Sequence, residues 1–293
     1  MATRLLPASG RLIGLYPDGS DENFLWTNPT PGGAWPNPGG DRTWLAPEIE
    51  LFIGDLARPW NTYAVQPALD PGNWRLDGEN TLTNSTRLRL HRSGREVGVQ
   101  LRKTYRPALN PLSVNGLQFA GYTQVTSLET DAPLGIWNLL QLPAPGMMLV
   151  ATRGAVRPQI VFGEIADPDL VSGPGLLRWR MDGGADAKIS LLATDFTGRA
   201  AHLHQRNPDS WDLVVRDVVV DPAGQYVDAL WTPPYKRGWA FQACQVRSLA
   251  GGFNELEYHA PVTTKRDESR VWAFRGPLDR ITEAAELLLG TRV

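Results

Sequence analysis

Residues 81–105 alternate apolar and polar side chains with a period of two. Leu82, Thr86, Leu88 and Leu90 share one phase, Val97, Val99, Leu101 and Lys103 share another, and His91-Arg92-Ser93-Gly94-Arg95 separates the runs. That period is the mark of a half-buried strand, so the stretch predicts a hairpin. A third antiparallel strand is expected at 117–128, through Phe119, Gly121, Thr123 and Val125. Similar short runs recur at 136–142, 147–152, 159–164, 176–181, 188–193, 200–205, 211–217, 226–231, 238–246, 255–259 and 271–274, most of them separated by turn residues.

Before the hairpin, residues 1–27 read as a strand pair turning at Pro17-Asp18-Gly19, and Ile49-Glu50-Leu51-Phe52-Ile53 reads as a strand ended by Gly54-Asp55. The stretch 57–79 is irregular, with Trp60 and Trp74 expected to pin it to the body. Helical periodicity is confined to the C-terminus. There Leu278, Ile281, Ala285 and Leu288 form one stripe, with Pro277 expected in the first turn and Gly290 placed to stop the helix. Strands do not alternate with helices, which argues for antiparallel all-β architecture over a parallel sheet. More than a dozen strands without a dividing linker predict one domain over 1–293, built as two large stacked sheets.

Composition narrows the classes. Of 293 residues, 42% are hydrophobic, enough for a sizeable core, and a net charge of −2 without long single-sign runs gives no nucleic-acid or membrane surface. The expected assembly is a monomer or a weak homodimer. Cys244 is the lone cysteine, so intrachain disulfides and cysteine-rich zinc sites are excluded. No apolar run is long enough to cross a bilayer, and residues 1–19 lack a signal-peptide core. The expectation is a soluble protein, cytoplasmic as it stands, or exported if a leader preceded it.

Candidate chemistry concentrates in Gly39-Gly-Asp-Arg-Thr-Trp-Leu-Ala-Pro-Glu48. Arg42 offers a planar five-donor fork, Trp44 a flat apolar face, and Asp41 and Glu48 offer acceptors. Gly39 and Gly40 allow a turn or close passage of the backbone past a ligand. These are the groups that hold a polyol. The plainer alternative is a structural edge with Trp44 in the core and Arg42 paired to Glu48. Downstream, Glu255 and Glu257 lie two apart and share a face if their segment is a strand, where mutual repulsion raises one pKa. One of the two is alternatively paired with an arginine. His259 follows in the same phase. His202 and His204 also share a strand face and could hold a metal with a carboxylate, or simply be partly exposed. Trp137, Trp231 and Trp239 are further aromatic candidates, the latter two flanking an expected rim loop at 233–237.

Three segments, in order, resemble the galactose mutarotase-like (aldose 1-epimerase-related) superfamily: Gly39–Glu48, as quoted; Ala132-Pro-Leu-Gly-Ile-Trp-Asn-Leu-Leu-Gln-Leu-Pro143; and Asn254-Glu-Leu-Glu-Tyr-His-Ala-Pro261 followed by Arg266-Asp-Glu-Ser and Val271-Trp-Ala-Phe. The resemblance implies an all-β supersandwich with a sugar site on one sheet. It implies a glutamate base, for which Glu257 matches best with Glu255 beside it, and a basic residue at Lys188, which either points into the site or sits at the strand edge. Such an enzyme takes the anomeric hydroxyl proton, protonates the ring oxygen and lets the ring open and reclose, with no metal or organic cofactor required. The histidine that the superfamily's enzymes carry mid-chain is absent from Gly135-Ile-Trp-Asn-Leu139. His259 is a candidate replacement. The alternatives are a non-catalytic sugar-binding module or a domain related to polysaccharide lyases and hydrolases. No phosphate-binding glycine loop, nucleophile elbow or HExxH pair occurs.

Overall fold

The computed structural model describes residues 2–32, 36–228, 237–249 and 251–293. Its strands run, in chain order, β1 (Ala2–Leu6), β2 (Arg11–Tyr16), β3 (Asp41–Ala46), β4 (Arg75–Asp77), β5 (Thr81–Arg89), β6 (Glu96–Pro107), β7 (Gln118–Glu129), β8 (Gly135–Pro143) and β9 (Gly146–Thr152). They continue through β10 (Gln159–Phe162), β11 (Leu170–Gly173), β12 (Leu176–Met181), β13 (Ala187–Leu191), β14 (Phe196–Asn207), β15 (Ser210–Val218), β16 (Phe241–Val246), β17 (Phe253–His259) and β18 (Arg266–Gly276). A single helical turn, α1 (Glu48–Leu51), and the C-terminal α2 (Leu278–Leu289) complete the main elements.

Two antiparallel sheets result. One has eight strands in the order β1-β2-β3-β8-β17-β16-β13-β10; the other has ten, β11-β12-β9-β14-β15-β18-β7-β6-β5-β4. The expected hairpin is β5–β6, and β7 pairs antiparallel with β6 as its alternation requires. Apolar residues from both sheets form one shared core, among them Leu45 and Leu256 from the first and Tyr122, Val214 and Val271 from the second. The all-β sandwich with one C-terminal helix is therefore the observed architecture.

Inward-facing residues of the eight-stranded sheet include polar ones, and several find partners across the gap. Asp41 Oδ2 accepts hydrogen bonds from Tyr122 Oη and Arg216 Nη2, both at 2.5 Å. Gln124 Nε2 donates to Asn138 Oδ1 at 2.9 Å, and Tyr258 Oη to Asp267 Oδ2 at 2.5 Å. Such bonds offset the cost of burying polar groups.

Helix α2 covers the other side of the ten-stranded sheet. Ile281, Ala284, Ala285 and Leu288 pack on Leu213, Val215, Trp272 and Phe274. Leu278 is half-exposed and lies off that stripe, and Pro277 is the N-cap in extended conformation, one position before the expected first turn. Gly290 ends the helix at φ 69°, and a Cβ there would touch nothing within 4 Å. Gly290→Ala thus tests backbone strain alone: it is expected to cost about 1 kcal/mol, read as a lower urea midpoint with an unchanged m-value.

Four expectations are corrected. The N-terminal strand pair is β1–β2, turning through Pro7-Ala8-Ser9-Gly10, whereas Pro17-Asp18-Gly19 leads into irregular chain. The expected strand at 49–53 is the turn α1, closed by Phe52 N–H donating to Glu48 O at 2.8 Å. Trp74 does anchor its stretch, but Trp60 is 51% exposed. Residues 226–228 of the expected strand at 226–231 carry no strand, and 229–231 lie outside the described residues.

Candidate functional site

Alternation sorts β3 into two functions. Odd-numbered Asp41, Thr43 and Leu45 point into the sandwich, while Arg42 and Trp44 point to the outer face. The register then assembles that outer face. Trp44 pairs with Trp137 across β3–β8, Glu255 with Gln141 and His259 with Trp137 across β8–β17, Cys244 with Glu255 across β16–β17, and Lys188 with Cys244 across β13–β16. The segment after β3 folds back over this face. Trp44 Nε1 donates to Asp70 Oδ2 at 2.9 Å, and Arg11 Nη2 forms an ion pair with the same oxygen at 2.6 Å.

What remains open is a pocket of about 750 Å³. Arg42, Trp44, Trp137, Lys188, Cys244 and Glu255 contribute from the sheet, and Glu48, Trp60 and Tyr63 from the covering segment. Phe162, Asp186, Ser248 and Phe253 add to its lining. Two ion pairs sit at its base. Arg42 Nη2 bonds Glu255 Oε1 at 2.8 Å, an oxygen that also accepts from Gln141 Nε2 at 2.9 Å. Lys188 Nζ lies 3.1 Å from Glu257 Oε2, which accepts from Trp137 Nε1 at 2.9 Å.

Glu257 itself is fully buried behind Lys188 and Trp137. Burial pushes its carboxyl up to about 7, with Glu255 and Glu48 adding to the rise and Lys188 opposing it. Proximity of Glu255 is thus a smaller cause than the sequence suggested. Burial opposes the Lys188 charge, but Glu257 and Glu48 outweigh it and hold the ammonium well above its usual range. Asp228 is a second buried acid, raised to about 7 by burial and then by Glu48. Its Oδ1 accepts from Glu48 N–H at 2.9 Å, while Glu48 Oε1 accepts from Tyr63 Oη at 2.9 Å. His259 stacks on Trp137 at 5.1 Å, shares a 2.9 Å hydrogen bond between Nε2 and Gln242 Oε1, and is held neutral, first by burial and then by Lys188.

The structure therefore brings together Arg42, Trp44, Glu48, Trp137, Lys188, Glu255, Glu257 and His259. Asp41 is not among them: it faces the opposite way, in the buried ion pair with Arg216. Trp44 does not present a free ring either, because the Arg42 guanidinium lies 3.9 Å over its centroid. Arg42 pairs with Glu255, not Glu48. Gly39 and Gly40 pass close to backbone and not to the pocket: Cβ atoms there would meet Trp26 O at 2.4 Å and Leu12 O at 2.2 Å. Trp239 is buried, Trp231 lies outside the described residues, and so do residues 233–236 of the expected rim loop.

Asp228, Tyr63, Phe162 and Asp186 carry no signal in the sequence, and Trp60 and Cys244 stand out there only as an expected anchor and as the lone cysteine, not as residues of the site. Cys244 was accessible to register reasoning, since it alternates with Gln242 and Val246 on the strand beside Glu255 and Glu257. Among the described residues, Cys244, Glu255 and Glu257 group as possible metal donors, with ligand atoms within 4.8 Å. Arg42 and Lys188 already neutralise those carboxylates, and burial holds the Cys244 thiol well above its usual range, so the set is built for ion pairs. His202 is buried against Asn254 and pushed down to about 3 by burial, and the His204 ring meets Pro145 O at 2.7 Å. Neither belongs to a group of three possible donors among the described residues. No helix among the described residues is long and apolar enough to cross a membrane.

No family model matches this chain, and no curated protein does. Among solved structures, a provisionally named aldose 1-epimerase from Escherichia coli K12 is similar over 93% of this chain and 94% of its own, at 13% identity and a TM-score of 0.46.

Proposed function

We propose that this protein binds a carbohydrate in the pocket on the outer face of the eight-stranded sheet. One observation carries the reading: Arg42, Glu255 and Lys188 present fixed donors and acceptors at the base of a pocket whose covering wall is aromatic. Hydroxyls of a sugar ask for paired donors and acceptors, and its C–H face asks for flat apolar surface. The charge balance favours a neutral sugar. Glu48, Asp186 and Glu255 line the pocket against Arg42 and Lys188, with Glu257 and Asp228 behind them.

Titration of hexoses and uronic acids, followed by one-dimensional proton NMR, tests this. Expected is selective broadening of one neutral sugar's resonances, weakened tenfold or more by Glu255→Gln, which keeps the shape but removes the charge that pairs with Arg42 (about 1.4 kcal/mol). If no sugar responds at millimolar concentration, the reading fails.

A second reading, an epimerase of the aldose 1-epimerase type, is favoured by one feature: Glu257 carries a carboxyl at about 7, the range of a general base at neutral pH. Lys188, held charged by Glu257 and Glu48, then steadies the Glu257 carboxylate and does not act as the acid. Accessibility weighs the other way, because Glu257 has no exposed surface and His259 is sealed beneath Trp137. Freshly dissolved α-anomers separate the two. Accelerated anomer exchange that disappears in Glu257→Gln establishes the enzyme; binding without acceleration establishes the module.

A further inference from the structure

The tryptophans at the base of the pocket are nearly inaccessible: Trp44 is 3% exposed and Trp137 is 1% exposed. Arg42 covers the first, and the second lies between His259 on one side and the Lys188 ammonium, 4.8 Å from its centroid. A ligand at the base meets charge and hydrogen-bonding groups, not open rings. The accessible ring is elsewhere. Trp60, on the covering segment, is 51% exposed.

The rings between these two levels form a continuous series. Trp44 meets Phe52 at 5.0 Å, Phe52 meets Tyr63 at 5.7 Å, Tyr63 meets Trp60 at 6.3 Å, and Trp60 meets Phe162 edge-on at 5.3 Å. Trp60 therefore stands two intervening rings away from Trp44, supported by Tyr63 below and Phe162 beside it. Phe162 ends β10, the edge strand of the sheet, so the T-shaped pair joins the covering segment to the sheet edge across the pocket mouth. At the mouth of a pocket with a polar base, this half-exposed indole, in contact with Tyr63 and Phe162, offers apolar ring surface on which a ligand can stack.

We propose that Trp60 and Phe162 form a second sugar subsite, and that the ligand is an oligosaccharide whose terminal ring enters the polar base while the next ring stacks on Trp60. This rests on the carbohydrate reading of the pocket. The polar base selects the terminal ring through hydroxyl contacts; the shelf adds sequence-tolerant stacking on the C–H face of its neighbour. A pocket for a single ring needs no apolar surface at that height.

Isothermal titration of the whole chain with glucose, galactose and mannose, and with their β-1,4- and α-1,4-linked trisaccharides, tests the arrangement. For the preferred sugar, the trisaccharide is expected to bind at least tenfold more tightly than the monosaccharide. In Trp60→Ala that ratio falls to within twofold of one, and in Trp60→Phe it is largely kept. Trp60 is half exposed, and an unchanged thermal midpoint verifies that the variants fold. A trisaccharide that binds no better than the monosaccharide overturns the second subsite while leaving the carbohydrate reading in place. Equal losses for both ligands in Trp60→Ala also overturn it, since they put Trp60 and the base in one subsite. Absence of binding by every sugar overturns both.

Discussion

Asp41→Asn is expected to cost about 3–5 kcal/mol of stability, the range for removing one partner of a buried ion pair. The carboxylate is fully buried and Arg216 is 1% exposed. Arg216 keeps only weaker partners: its Nε and Nη1 have no hydrogen-bond partner, the ring beneath its guanidinium is Tyr258, at 5.1 Å, and Asp267, which accepts from Tyr258, acts on it by charge without a direct hydrogen bond. Both neighbouring phenols are held protonated, chiefly by burial, so neither supplies a compensating charge. Asparagine keeps the volume and can still accept from Tyr122, which confines the loss to the charge. Urea unfolding at pH 7 measures it. Pairing Asp41→Leu with Arg216→Met is expected to recover most of the loss, because the desolvation of both charges then disappears together. A cost for Asp41→Asn below about 1 kcal/mol would mean that Arg216 is balanced by other groups. Since Asp41 faces the core, sugar binding per folded molecule should survive, which distinguishes a structural acid from a ligand-binding one.

The placement of Asp41 shows where sequence reading succeeds and where it slips. A strand's period of two already sends Asp41 and Arg42 to opposite faces. The same rule correctly put Glu255, Glu257 and His259 together, and it aligned the β5–β6–β7 meander. Reading the Gly39–Glu48 segment as one motif overrode that rule and merged two faces into one site. The run Glu48-Ile49-Glu50-Leu51 failed differently. Its alternation imitates a strand, yet the residues sit in a single helical turn after Pro47, with Leu51, Phe52 and Ile53 all buried because the segment lies on the sheet and not within it. Periodicity reports which residues are buried, not which element buries them. Trp60 was beyond reach for a related reason. An irregular stretch has no period, so nothing local says that Trp74 is an anchor and Trp60 a shelf. Asp228 likewise joins the site only through contacts with Glu48 and His259, far away in sequence.

Lys188→Met should show the electrostatic design of the pocket base most directly, through a stability deficit that grows with pH. In the wild-type protein Glu257 has a folded-state pKa of about 7 against a reference of 4.5. Between those values the folded protein binds more protons than the unfolded chain, so stability falls as pH rises through that window and levels off above it. Removing the ammonium takes away the positive charge that holds Glu257's pKa down from 3.1 Å, and leaves the carboxylate with Trp137 Nε1 and an Oε1 that accepts no hydrogen bond. Its pKa rises further and the window widens upward. The variant is expected to lose about 3–5 kcal/mol at pH 8, where Glu257 must be forced into the charged form, and distinctly less at pH 5, where it is protonated without cost. Asp228 responds in the same direction, because Lys188 lowers its pKa too. The double variant Lys188→Met/Glu257→Gln therefore isolates the pair: its pH slope should shrink to the part that Asp228 contributes. Urea unfolding at the two pH values decides the matter. A deficit equal at both would mean that Lys188 does not govern proton uptake by Glu257 in this range and would overturn the electrostatic reading, whereas a deficit concentrated at pH 8 identifies Glu257 as the group that takes up a proton near neutrality.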